Sequence, residues 1–150
     1  IAAEGMKTGS KNYELLLKLL KRGAILVKTE DFKLVKEELD RLSEITRAKS
    51  IVQKLISFTK YKLTKDKLLN KRDEFIARRI EETLNTSEKG IIFIGAYHNI
   101  KKRLPRDIQI IEVKDTDKVR EYQRLLPFYN KSKERFEELS RYLISPTNLK

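Results

Sequence analysis

The stretch Lys89-Gly90-Ile91-Ile92-Phe93-Ile94-Gly95-Ala96-Tyr97-His98-Asn99 constrains this chain more than any other. Four apolar residues run unbroken behind a turn glycine, the pattern of a strand buried on both faces of a parallel sheet. Gly95 ends the run, and the single histidine follows at His98. Open parallel sheets bind ligands at the carboxyl ends of their strands. His98 is therefore the first candidate for a functional group.

At 150 residues the chain is long enough for one domain with its own core. Its balance of 39% hydrophobic and 37% charged residues fits a globular protein with a heavily charged surface. No apolar run approaches the roughly 20 residues that span a bilayer, so no membrane partner is expected. No signal peptide is visible, and the cytoplasm is the default compartment. The absence of cysteine excludes disulfides, thiolate metal sites, iron–sulfur clusters and cysteine nucleophiles. With one histidine, a divalent metal within a single chain would need carboxylates for its other protein ligands. The chain opens on Ile1 and its only methionine is Met6, which reads as the carboxyl-terminal part of a longer protein.

The formal net charge is +12. Such a charge raises the prospect of nucleic acid or another polyanion as partner. The excess is spread along the chain, however, and lysines interleave with glutamates in the manner of solvated, salt-bridged helix faces. The Lys/Glu/Ile-rich composition is also that of thermophile proteins. The densest basic cluster is Lys101, Lys102, Arg103 and Arg106, just after the histidine.

Taken in order, Gly5, Gly9, Ser10 and Lys11 hint at a phosphate loop, but the spacing is wrong, and Ser10 is more simply a helix N-cap. Tyr13, Leu16, Leu17 and Leu20 then define a helix over 12–22, closed by Gly23. Ala24-Ile25-Leu26-Val27 reads as a short buried strand. One or two helices follow from about 30 to about 60, with Thr29 as cap and Glu30 and Asp31 complementing the dipole. A further helix is expected over 66–86. After the central strand, Pro105 breaks the chain before a half-buried strand, Ile108 to Val113. Asp117 is placed to cap a helix that Pro127 ends, and a last helix spans about 131–144. Strands separated by helices predict a single α/β domain over 1–150, three-layered, with a small, mostly parallel sheet flanked by helices. A small sheet of this kind also invites a homodimer.

The helix over 66–86 carries an anomaly. At about 100° per residue, Leu69, Ile76, Ile80 and Leu84 share one face, and Asp73 falls inside it. A carboxylate on an apolar stripe costs several kcal/mol to bury unless it is paired. Asp73 must therefore have a partner. Arg72, adjacent in the chain, is badly placed to be it.

The predicted sheet gathers Glu30, Asp31, His98 and Asn99 at one edge. That constellation suits a hydrolase acting on a small molecule or peptide. His98 would be a general base, or a single nitrogen ligand to a metal beside Glu30 or Asp31. Arg72 or Arg79 would orient an anionic group. The alternatives are a basic module holding nucleic-acid phosphates through Lys101, Lys102, Arg103 and Arg106, or a sensor or interaction domain without catalysis.

Two resemblances bear on this choice. Lys71-Arg72-Asp73-Glu74-Phe75-Ile76-Ala77-Arg78-Arg79-Ile80, with Gly90-Ile91-Ile92-Phe93-Ile94-Gly95-Ala96-Tyr97-His98, resembles the carboxyl-terminal half of the TraB/Tiki and erythromycin-esterase/ChaN-like superfamily. Members carry an Arg-Asp/Asn helix before a hydrophobic strand ending in Gly-x-x-His. The resemblance covers about residues 71–113. It implies a hydrolase, metal-dependent in the Tiki case, or a haem-iron binder as in ChaN. It carries over Arg72, Asp73, Gly95 and His98 by position. Sites in the superfamily also draw on an amino-terminal half with its own Gly-x-x-His or Glu/His elements, whereas His98 is the only histidine here. Second, Gly9-Ser10-Lys11-Asn12-Tyr13-Glu14-Leu15-Leu16-Leu17, Arg22-Gly23-Ala24 and Thr29-Glu30-Asp31 resemble a prokaryotic family with no assigned activity.

Overall fold

The computed structural model describes residues 11–147. Among them it contains five α-helices and no strand. Helix α1 is Lys11–Lys21, α2 is Phe32–Arg47, α3 is Ile51–Thr83, α4 is Thr116–Leu125 and α5 is Lys133–Ile144. Two 3-10 segments, Ile100–Lys102 and Leu126–Lys131, lie between α3 and α5.

The predicted three-layer α/β fold with a mostly parallel sheet is therefore wrong for the described residues. The segments read as strands, Ala24–Val27, Ile91–Ile94 and Ile108–Val113, have no regular structure. A strand needs a neighbour to close its ladder of hydrogen bonds. From Ile91 to Ile94 no backbone hydrogen bond forms among the described residues. Composition favours β-structure here, but no second strand pairs with it among the described residues.

Local chemistry explains the helix ends. Asp31, not Thr29, caps α2 by accepting from Lys33 N at 2.8 Å. Ser50 caps α3 by accepting from Gln53 N at 3.1 Å. Asp115, not Asp117, caps α4 by accepting from Asp117 N and Lys118 N. Gly23 follows α1 at φ +89°, the left-handed conformation that glycine takes without steric cost. The phosphate-loop hint and the Ser10 cap lie outside the described residues.

The helix predicted over 66–86 and the end of the run predicted up to about 60 are one element. α3 has 33 residues and is about 50 Å long. No glycine or proline interrupts it, so nothing in Ile51–Thr83 stops propagation. The short connection at 48–50 folds α2 back on α3 as a helical hairpin. α4 and α5 form a second pair. There Tyr122 stacks on Phe136 with centroids 4.7 Å apart, and Tyr129 meets the same ring edge-on at 5.0 Å. Arg135 grips Glu121 through two hydrogen bonds of 2.7 Å each.

The two pairs make no helix-to-helix contact among the described residues. They are joined through the segment that holds His98 and the Ile100–Lys102 turn packed on α3. The core is correspondingly small: Leu68, Ile76, Ala77, Ile100 and Leu139 are the buried hydrophobic residues among those described. The accessible surface is 12,522 Å², against roughly 7,900 Å² for a compact chain of this length. No helix among the described residues is long and apolar enough to cross a membrane.

Stability should therefore concentrate on one face of α3. Ile76, 1% exposed, should lose about 2–5 kcal/mol on substitution by alanine. Leu63, 78% exposed on the same helix, should change by less than about 0.5 kcal/mol. Guanidinium unfolding of the two variants checks the contrast.

Candidate functional site

Asp73 is the buried charged residue among the described residues, 1% exposed on the inner face of α3. Both carboxylate oxygens are satisfied by the segment that follows Ile91–Ile94. His98 Nδ1 lies 2.5 Å from Oδ1, and Asn99 N donates to Oδ2 at 2.8 Å. The two side chains are 8% and 2% exposed respectively. An ionised carboxylate can only accept, so the contact with Asp73 assigns a proton to Nδ1 of His98. Nε2 makes no hydrogen bond among the described residues, and it is not buried. The carboxylate on an apolar stripe is thus paired with a histidine whose other nitrogen has no hydrogen-bond partner among the described residues.

The turn beneath the imidazole is fixed from two sides. His98 N donates to Gly95 O at 3.1 Å and closes it. A Cβ on Gly95 would meet the His98 ring at 3.6 Å, an ordinary contact, so space alone does not demand glycine. From α4, Arg120 Nε donates to Ala96 O at 2.6 Å and Nη2 to His98 O at 3.3 Å. Its Nη1 pairs with Asp117 at 3.0 Å. Arg120 was not among the residues singled out from the sequence. Its partners are carbonyls 24 and 22 positions away, and no local pattern announces such a bond.

The other candidates occupy neighbouring positions with different partners. Arg72 lies between two carboxylates: it donates to Glu30 at 2.6 and 3.2 Å and also to Glu38. Its side chain is only 15% exposed. The hydrogen bond to Glu30 holds it charged and pushes its pKa above the ordinary value against the cost of burial, with Glu38 adding to the effect. Arg79 donates to Lys28 O at 3.3 Å and pairs with Glu82 at 2.7 Å. Glu30, Asp31 and Arg79 thus tether the loop between α1 and α2, and no hydrogen bond joins them to His98 or Asp73 among the described residues. Asn99 contributes its backbone N–H to the site. A shallow hollow of about 480 Å³ lies beside Arg72, lined by Lys28, Thr29, Glu30, Phe32 and Val35, and it does not include His98.

The basic cluster is partly neutralised. Lys101 pairs with Glu112 at 2.6 Å, and Arg103 with Glu74 at 3.1 Å and with Asn70 at 3.0 Å. The Lys101 ammonium, with the Thr116 hydroxyl, holds the Glu112 carboxyl below its usual range. Lys102 and Arg106 have no ion-pair partner among the described residues.

A divalent metal does not fit this donor set. No group of three or more histidine and carboxylate side chains converges among the described residues. His98 Nδ1 and both oxygens of Asp73 are already committed, which leaves Nε2 as one donor.

No protein-family model, no curated protein and no solved structure matches the chain.

The hydrogen bond from Nδ1 fixes the tautomer of His98. Long-range ¹H–¹⁵N spectra should show the Nδ1–H form dominating in the neutral ring. In Asp73→Asn the alternative Nε2–H form should gain at the expense of Nδ1–H. An unchanged tautomer ratio in that variant would show that Asp73 does not orient the ring.

Proposed function

We propose that the chain carries an acid–base centre of the hydrolase type, with His98 Nε2 as the proton-transferring group and Asp73 as its positioning residue. The observation that carries this reading is the 2.5 Å bond from His98 Nδ1 to a carboxylate that is itself buried and held by Asn99 N–H. Such a carboxylate fixes the imidazole tautomer and stabilises the imidazolium when the ring takes a proton. Nε2 can then remove a proton from water or a hydroxyl group attacking an ester, amide or phosphoryl substrate, and return it to the leaving group. Arg120 holds the turn by its carbonyls, so its part is positioning. The nucleic-acid reading is less well supported, because Lys101 and Arg103 spend their charge on Glu112 and Glu74.

Hydrolysis of p-nitrophenyl acetate and p-nitrophenyl phosphate tests this reading. At least one should be hydrolysed above the buffer rate. His98→Gln should lose about 10²–10⁴-fold, the usual contribution of a positioned acid–base group. Asp73→Asn should lose less and shift the pH profile. Helix content by circular dichroism controls for folding. A wild-type rate equal to buffer, or an active His98→Gln, would overturn the proposal.

A further inference from the structure

The first half of α3 turns its apolar face outward. Over residues 51–68 only Ser57, Tyr61, Thr64 and Leu68 are not exposed. At about 100° per residue they share one face, the one turned to the rest of the molecule. Val52, Leu55, Ile56 and Leu63 fall on the opposite side, in a sector about 100° wide, and they are 63–78% exposed. A surface helix of a globular protein normally does the reverse and turns its aliphatic stripe inward. Here two of the inward residues, Ser57 and Thr64, are polar.

The charge of the same stretch is of one sign. From Ile45 to Lys65 there is no aspartate or glutamate, and the charged residues are Arg47, Lys49, Lys54, Lys60, Lys62 and Lys65. None of them makes an ion pair among the described residues. The acids of α2 are mostly engaged elsewhere: Glu37 pairs with Arg41, Asp40 with Lys36 and Glu38 with Arg72, while Glu44 shares a hollow with Lys60. On the helix surface Lys60 and Lys67 border one edge of the aliphatic stripe and Lys62 the other. Asp66 ends it.

What covers this face must take aliphatic side chains at its centre and hold ammonium groups at both edges. An anionic lipid surface does both: the aliphatic groups enter the acyl boundary while the lysines reach back to the headgroup phosphates. A nucleic acid would meet the lysines and leave Val52, Ile56 and Leu63 in water. A second copy would set one lysine edge against another, and protein interfaces are depleted in lysine. We propose that the first half of α3 docks on an anionic bilayer surface and lies in its interface. Crossing a bilayer takes roughly 20 apolar residues, and no helix among the described residues is of that kind. Lying in the interface takes one apolar face with cations beside it. Docking of this kind would hold if the His98 site were inert.

The test uses the full chain and vesicles of phosphatidylcholine, with or without an equal share of phosphatidylglycerol, read by co-sedimentation. Vesicles with phosphatidylglycerol should bind the protein, and pure phosphatidylcholine should bind it about tenfold less or weaker still. Val52→Ser/Ile56→Ser/Leu63→Ser leaves the net charge unchanged and should weaken binding by about tenfold or more. Lys60→Gln/Lys62→Gln should weaken it by about tenfold. Lys102→Gln/Arg106→Gln removes the same charge elsewhere and should change it by less than about threefold. All these positions are exposed, and circular dichroism checks that helix content is kept. The chain has no tryptophan, so Ile56→Trp adds a single reporter, whose emission should shift to the blue on the phosphatidylglycerol vesicles. Absence of binding to those vesicles would overturn the proposal. Full binding by the serine variant would do the same, leaving only adsorption of a basic protein, and equal binding to both lipids would remove the charge selection. A dimer in sedimentation equilibrium that the serine variant dissolves would make a second copy the occupant. Binding to poly-uridylate that Lys60→Gln/Lys62→Gln loses while vesicle binding is kept would make it a nucleic acid, and in either case the lipid surface would be wrong.

Discussion

A buried carboxylate holds this molecule together. Asp73 lies on the inner face of α3, and an uncompensated charge there would cost several kcal/mol. His98 Nδ1 and Asn99 N–H compensate it, and both belong to a segment far along the chain. Arg120 on α4 then grips the carbonyls of the same segment. Since the α2/α3 and α4/α5 pairs make no helix-to-helix contact among the described residues, the Gly95–Arg103 region is their joint. One polar contact therefore ties α3 to the segment that leads to the second helix pair, and Nε2 of the same imidazole makes no hydrogen bond among the described residues.

Much of the candidate site was legible in the sequence. The helical phase of Leu69, Ile76 and Ile80 placed Asp73 on an apolar stripe, and burial cost alone demanded a partner for it. The single histidine stood at the end of the most apolar run. Neither argument could show that each was the answer to the other, because a contact 25 positions apart leaves no local pattern. The same limit hid Arg120, whose acceptors are carbonyls present at every residue. Arg72 pairs with Glu30 and with Glu38 from α2, and no local pattern announces either contact.

The fold was read less well, for a physical reason. Ala24–Val27, Ile91–Ile94 and Ile108–Val113 have the composition of strands, and composition reports what a segment does when it has a neighbour. A sheet is a property of pairs, and among the described residues no pair forms. Helices are properties of single segments, and their reading held up better. Gly23 ends α1, and helices form near 12–22, 117–126 and 131–144. The break anticipated before residue 66 is absent because no glycine or proline in α3 enforces it. Capping shifted by two residues at Asp31 and at Asp115, where an aspartate outcompeted its neighbours for the first free N–H groups.

The coupling between Asp73 and His98 is the quantity on which this account rests, and a double-mutant cycle measures it. Guanidinium unfolding of the wild type, Asp73→Asn, His98→Gln and the double variant yields the interaction free energy directly. A hydrogen bond to a buried charge at the joint of two helix pairs calls for a favourable coupling of about 2 kcal/mol. Additive effects, within about 0.5 kcal/mol, would show that the two residues do not act as a unit. The account of both the joint and the oriented histidine would then fail together.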